Sequence, residues 1–415
     1  MVKKLKRPVR IKEPERRQVE LQTQAVDDLI GPDHPARLID RVLGTLDLSD
    51  FVAAAKSVQF GSGRPVMSPR MMLTLWLYAI GQGVGSAREI ERLTRNDNAF
   101  RWIVGDLRPS HDVIANFRVD HQASFDKLLT EVLAVLDHKG LLPLETMAQD
   151  GTRVRASAGS ASFRREDALK ECRQQAALHL KAVLADADNA EISAAAQAAR
   201  EAKARDYQRR VEEAIETLNA LPPKKDGGEP RVSTTDKDAR VMKMASGGFR
   251  PAYNIQLGVV GKKTGGPRAI VGVRVTNLGS DMGSLVPMDD DVVRRLGRSP
   301  DVILADANHF KMDDVLELDR RGRLLVVPAP RHRPGKVRPQ KLSERQVKWR
   351  AWMKSAGAKA LYRQRAPLVE HANAMFKGHF GVDRLWVRGL AKVTSVALLT
   401  SITFTITQNL AHLVG

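Results

Sequence analysis

Residues 147–155 read MAQDGTRVR: two apolar residues and a glutamine lead to Asp150, and Arg153 and Arg155 follow. Extended backwards to LETMAQD, residues 144–150, the stretch has the length and composition of a short strand ending on a carboxylate. A local explanation also exists, because Asp followed by Gly is a common turn pair. A second run has the same form, since DVILAD at 301–306 is apolar and finishes on Asp306. A third acid, Glu370, lies in LYRQRAPLVEHANAMFKGHFG, residues 361–381, which has helical spacing. Two strands of one sheet would bring Asp150 and Asp306 to neighbouring ends, with a packed helix carrying Glu370 alongside. Three carboxylates that close raise one another's pKa unless divalent cations lie between them, and Mg²⁺ prefers such oxygen ligands.

Working outward, residues 25–140 read as short helices with apolar periodicity, and Ser68, Ser86 and Ser110 stand where N-caps belong. Within SAREIERLTRND, residues 86–97, Arg88, Arg92 and Arg95 recur at three- and four-residue steps and share one helix face. That face suits a helix-turn-helix-like DNA reader; an ordinary helical bundle with solvated charges is the competing reading. Residues 160–222 are rich in Ala, Glu, Lys and Arg and read as an antiparallel helical hairpin turning near DADN at 186–189. From residue 251 the pattern changes to strands. AYNIQLGVVG and AIVGVRVTN, separated by KKTGGPR, predict a β-hairpin. Helix, strand, helix, strand and helix follow, which makes a mixed α/β domain with a helical excursion after its first strand.

The totals fit such a chain. Its 415 residues, 43% of them hydrophobic, suffice for two or three domains. A formal charge of +19 calls for a polyanionic partner, nucleic acid or an anionic membrane surface. A single cysteine, Cys172, excludes an internal disulfide and a CxxC zinc site and is consistent with a reducing compartment. The basic N-terminal residues have no apolar run after them and read as an arm, not a secretory signal. KVTSVALLTSITFTITQNLAHLVG, residues 392–415, is nearly free of charge, but Thr, Ser, Gln and Asn interrupt it throughout, so a buried helix is expected there instead of a membrane span. The basic run APRHRPGKVRPQKLSERQVKWRAWMK, residues 329–354, interleaves Trp349 and Trp352 and is expected to hold DNA.

These pieces together resemble the DDE transposases of bacterial insertion sequences. The resemblance rests on AQDGTRVRASAG, STTDKDARVMKMASGGFRPAYNIQ, VTNLGSDMGSLVPM, VILADANHF and YRQRAPLVEHANAMFKGHFG. The last is similar to the family's Tyr, Arg, Glu, Lys signature, with Tyr362, Arg365, Glu370 and Lys377. Four residues separate Arg365 from Glu370 where the commonest pattern has three, so Arg363 or Arg365 is the counterpart. After Asp306, Asn308 stands where a glycine is often found, and it is expected to take a left-handed turn.

The resemblance implies a ribonuclease H-like catalytic domain at residues 143–415 with a helical insertion at about 160–230. Before it come an all-α, DNA-binding domain at residues 25–142 and a basic arm at 1–24. It implies two Mg²⁺ ions, replaceable by Mn²⁺, held by Asp150, Asp306 and Glu370, with Tyr362, Arg365 and Lys377 on DNA. The implied activity is cutting at insertion-sequence ends and joining the 3′ hydroxyl to target DNA by two-metal phosphodiester transfer. The implied partners are terminal inverted repeats and target DNA, bound by a homodimer or larger oligomer in the cytoplasm at the nucleoid, without a membrane. A metal-dependent nuclease lacking strand transfer would keep the same residues. A catalytically inactive DNA-binding relative is the remaining alternative.

Overall fold

The computed structural model describes residues 23–53, 66–186, 192–222, 228–262, 266–329 and 343–414. Nearly all of the expected N-terminal arm, residues 187–189 of the expected hairpin turn and residues 330–342 of the basic run at 329–354 lie outside them.

Among the described residues, seven α-helices come first, after a short 3-10 turn at Val26–Leu29: α1 (Pro35–Leu43), α2 (Ser49–Ala53), α3 (Pro69–Gly81), α4 (Ala87–Asn96), α5 (Asn98–Val104), α6 (His111–Asp120) and α7 (Gln122–His138). Helix α3 begins on Pro69, whose missing N–H costs nothing in a first turn, and the Ser68 hydroxyl accepts from the Met71 N–H at 3.4 Å. Ser110 caps α6 in the same way, whereas Ser86 occupies the N-cap position of α4 without a side-chain bond. Residues 72–80 of α3 are all buried, which its uniformly apolar sequence requires of a core helix.

The sheet begins with β1 (Thr146–Arg155). A two-stranded ladder of β2 (Phe163–Arg164) and β3 (Val232–Ser233) closes the base of the helical hairpin, α8 (Glu166–Ala185) and α9 (Ala194–Ala220). Then come β4 (Arg240–Lys243), β5 (Phe249–Gly261), β6 (Arg268–Thr276), α10 (Leu285–Leu296), β7 (Val302–Leu304), α11 (Met312–Arg320) and β8 (Leu324–Val326). Strands β4 and β6 both pair antiparallel with β5, β5 pairs antiparallel with β1, and β7 and β8 continue the sheet in parallel. The chain ends with α12 (Glu344–Met353), α13 (Ala356–Tyr362), α14 (Arg365–Ala374) and α15 (Leu390–Val414).

The sequence placed the end of the first strand at Asp150, but β1 runs on to Arg155 because β5 continues to pair with it as far as Arg155 opposite Ala252. The Asp-Gly pair is therefore not a turn. Glycine is required at 151 for space: a Cβ there would lie 2.2 Å from Gln256 Nε2 and 2.3 Å from Asp281 Oδ1.

One hydrophobic core runs from Ala36 to Ile406 through both the helices and the sheet. Its common element is α15, which packs on α1, α3, α6 and α7 on one side and on β6 on the other. Its hydroxyls are buried by bonding back one turn, as in Ser401 to the Ala397 carbonyl at 2.8 Å and Thr403 to that of Leu399 at 2.9 Å. Thr405 Oγ1 accepts from the Ile270 N–H at 3.1 Å, and Asn409 donates to the Arg268 carbonyl at 3.0 Å, fixing the helix to β6. A second tie joins α7 to α10, where Asp126 meets Arg294 at 2.7 Å and also pairs with the buried Arg295. Burial alone would raise Asp126, but the two arginines outweigh it and hold the carboxyl below its ordinary pKa.

Candidate active site

Parallel pairing of β1 with β7 sets Ala148 opposite Leu304. Two residues further along each strand direction lie Asp150 and Asp306, so matching register delivers the two carboxylates side by side. Asp306 caps the short 3-10 turn Ala307–His309, accepting from the Asn308 N–H at 3.0 Å and its amide at 2.8 Å. Asn308 thus lies in a 3-10 turn and not in the left-handed turn expected of a glycine substitute. The same turn swings His309 beneath the acid, its Nδ1 2.7 Å from Asp306 Oδ1 and its Nε2 3.1 Å from Gln256 Oε1.

Ligand atoms of Asp150, Asp306 and His309 lie within 4.8 Å of one another, and they form a possible site for a metal ion. Two carboxylates and an imidazole suit a divalent cation. Both Asp150 oxygens already have partners in α14. Arg365 Nη2 is 3.0 Å from Oδ1, and Asn373 Nδ2 donates to Oδ2 at 2.9 Å. Burial raises the Asp150 pKa, with Asp306 adding to the rise and Arg365 opposing it. Asp306 moves the other way: burial works against ionisation, but the His309 hydrogen bond and charge and the Arg365 charge prevail, bringing it down to about 2.

Below the carboxylates, Gln149, Asn254, Gln256 and Asp281 form a buried polar layer. Asp281 Oδ1 accepts from Asn254 and Gln256 at 2.6 Å each, and Gln149 donates to Gln256 at 3.2 Å. This layer fixes the amide whose oxygen meets His309, so the Asp306 carboxylate is oriented through two successive contacts.

The other residues singled out in the sequence are more dispersed. Glu370 is exposed on α14 and outside the Asp150–Asp306–His309 group, although it precedes Asn373 by one helical turn. Lys377, in the π-helical turn Met375–His379, is half-buried; burial lowers its pKa while Asp383 and Asp150 pull it upward. Tyr362 ends α13 and packs partly buried on the core. Arg88, Arg92 and Arg95 are all exposed on α4, where Arg92 pairs with Glu89 and Arg95 with Glu91 at 2.9 Å. Trp349 and Trp352 pack against the core, Trp349 stacking on Phe310 at 5.4 Å and donating to the Leu325 carbonyl. Their interleaving with basic residues is therefore one face of α12 docking on β8, not an array held out to DNA. Within the STTDKDAR stretch, Asp236 and Asp238 accept from the backbone N–H groups of Gly389 and Leu390 and serve the start of α15.

Sequence reading missed His309, Asn373 and Gln256. Two of them carried a signal, as each of His309 and Asn373 stands three residues after an acid already singled out.

Two family matches bear on this arrangement. Residues 24–120 match the Transposase domain (DUF772), and residues 329–413 match the Transposase DDE domain, which takes in α12 to α15 with Arg365, Glu370 and Lys377. The chain carries the domains of a DDE transposase of an insertion-sequence family. Helices α1 to α6 make up the first transposase domain, and the carboxylate pair of β1 and β7 faces the α14 of the second. No curated protein and no solved structure matches the chain significantly.

Proposed function

We propose that this transposase cuts DNA at the ends of an insertion sequence and joins the freed 3′ hydroxyl to target DNA, with Asp150, Asp306 and Glu370 as ligands of two Mg²⁺ ions. The observation that carries the reading is the matched register of Asp150 and Asp306 beside α14, the helix of the DDE domain. A sheet of four antiparallel strands continued by two parallel ones, with one acid on β1 and the other just beyond the end of the adjacent β7, supports a ribonuclease H-like domain across residues 143–415. Bound there, divalent cations would activate water or a 3′ hydroxyl and stabilise the leaving oxygen.

The chain's own groups have separable tasks in this reading. Asp306 stays ionised and is aimed by His309 and Asn308. His309, with both ring nitrogens engaged, positions Asp306 and leaves the third ligand to Glu370, whose place on α14 is supported by the Asn373 contact one turn on. Arg365 balances the Asp150 charge and supplies a guanidinium for a phosphate oxygen, and half-buried Lys377 supplies a second cation. Tyr362 contacts the DNA backbone. Residues 25–142 bind the terminal inverted repeats, with Arg88, Arg92 and Arg95 of α4 as the reading face, and a homodimer holds both ends.

The deciding experiment is metal-dependent cleavage of end-containing DNA. Asp150→Asn, Asp306→Asn and Glu370→Gln are each expected to abolish cutting and leave DNA binding within about threefold of wild type. Near-normal cutting by one variant removes that residue from the ligand set, and by all three overturns the mechanism.

A further inference from the structure

Between the π-helical turn and α15 the chain passes through a turn at 382–383, a single bridge from Arg384 to Arg155 and a bend at 386–387, and its side chains alternate from Arg384 to Arg388. Val382, Leu385 and Val387 are buried, while Arg384, Trp386 and Arg388 are exposed. Trp386 keeps 58% of its surface open, more than a large aromatic normally leaves in water. Arg384 lies 5.7 Å from the indole centroid, in cation–π range. The strip is firmly held: Leu385 donates to the Arg155 carbonyl at 2.8 Å, Arg155 donates to that of Asp383 at 2.9 Å, and Arg388 reaches the Ser157 carbonyl at 3.1 Å.

Its position is as informative as its composition. Arg155 ends the strand that carries Asp150, five residues and roughly 17 Å away at strand rise, or about five steps of a nucleic-acid strand. On the other side the indole packs on Gly85, where a Cβ would come 3.3 Å from Cδ1. Arg118 holds the Gly85 carbonyl at 2.7 Å, and α4 starts two residues later with Arg88 in its first turn. The strip thus spans the surface between the helix proposed to read DNA and the strand proposed to cut it.

We propose that Arg384, Trp386 and Arg388 form a platform on which an unpaired base of the bound DNA stacks between α4 and the carboxylates. An indole held open in water serves any base through its π-face, and flanking guanidiniums take the adjoining phosphates. The assignment rests on the DNA-cutting function above but concerns a different surface.

Fluorescence anisotropy with full-length protein tests it on a mixed-sequence duplex carrying a short unpaired tail and on the same duplex fully paired. Trp386→Ala is expected to weaken the tailed probe by roughly 5- to 150-fold and the paired probe by less than about twofold, with Trp386→Phe restoring most of the loss. Arg384→Ala with Arg388→Ala should weaken both probes and reduce the salt dependence of binding. Equal loss on the two probes, or no loss, in a Trp386→Ala protein with wild-type melting overturns the platform. Wild-type protein that still cuts DNA in that case leaves the proposed function standing. Failure of wild-type protein to bind either probe overturns both.

Discussion

At Asp150 and Asp306 two chemically identical side chains are driven apart. Burial lifts the first, while a histidine and an arginine draw the second down to about 2. Binding of a divalent cation needs both ionised, so affinity should fall on acidification as Asp150 takes up its proton, at a pH above the ordinary aspartate value near 3.9. Asp306 remains charged until about pH 2. Removing Arg365, which opposes the rise, should move the loss to still higher pH. Calorimetric titration with Mn²⁺ at a series of pH values checks this; undiminished binding by Arg365→Ala and wild type down to about pH 4 would contradict it. The two aspartates were legible because each ends an apolar run that alternation and length mark as a strand. His309 and Asn373 carried only the weak signal of standing three residues after an acid, because their further partners, Gln256 and Asp150, lie on β5 and β1. Glu370 was legible as an acid on a helix, but spacing says nothing about the side-chain conformation that leaves it exposed.

Among the elements, α7 and α10 show how a charged contact holds two parts of the molecule. Asp126 is depressed by its arginines, and Arg295 is almost wholly buried against it. A carboxylate with a lowered folded pKa contributes stability that is present above its unfolded value near 3.9 and lost as pH falls through the lower folded value. Asp126→Asn should therefore cost about 1.5–3 kcal/mol at neutral pH, the range for a hydrogen bond to a charged group, and progressively less in acid. Urea melts at both pH values measure it, and a pH-independent cost would rule out the charge as its origin. The N-capped apolar run of α3, the periodicity of α10 and the β5–β6 hairpin were readable in advance. The β2–β3 ladder and β4 were not, because two to four residues contain too little alternation, and their pairing depends on distant partners.

For the whole molecule, α15 is decisive. Its low charge was visible in the sequence; that it would lie between the first helices and the sheet was not, because nothing local says which faces a nearly uncharged helix without an apolar stripe will meet. A fragment of residues 1–140 lacks α15 and would expose the surfaces of α3 and α7 that pack on it. We expect that fragment to show no cooperative thermal transition, whereas joining it by a flexible linker to residues 390–414 should restore one; a sharp transition in the fragment alone would contradict this. The shared helix also has a mechanical meaning. With one continuous core beneath α4 and β1, the span between the face proposed to read DNA and the carboxylates proposed to cut it is set by the fold, like the jaws of a calliper. On that proposal the DNA supplies the compliance, and sequences that bend or unpair easily between those points are expected to be preferred even where no side chain touches a base.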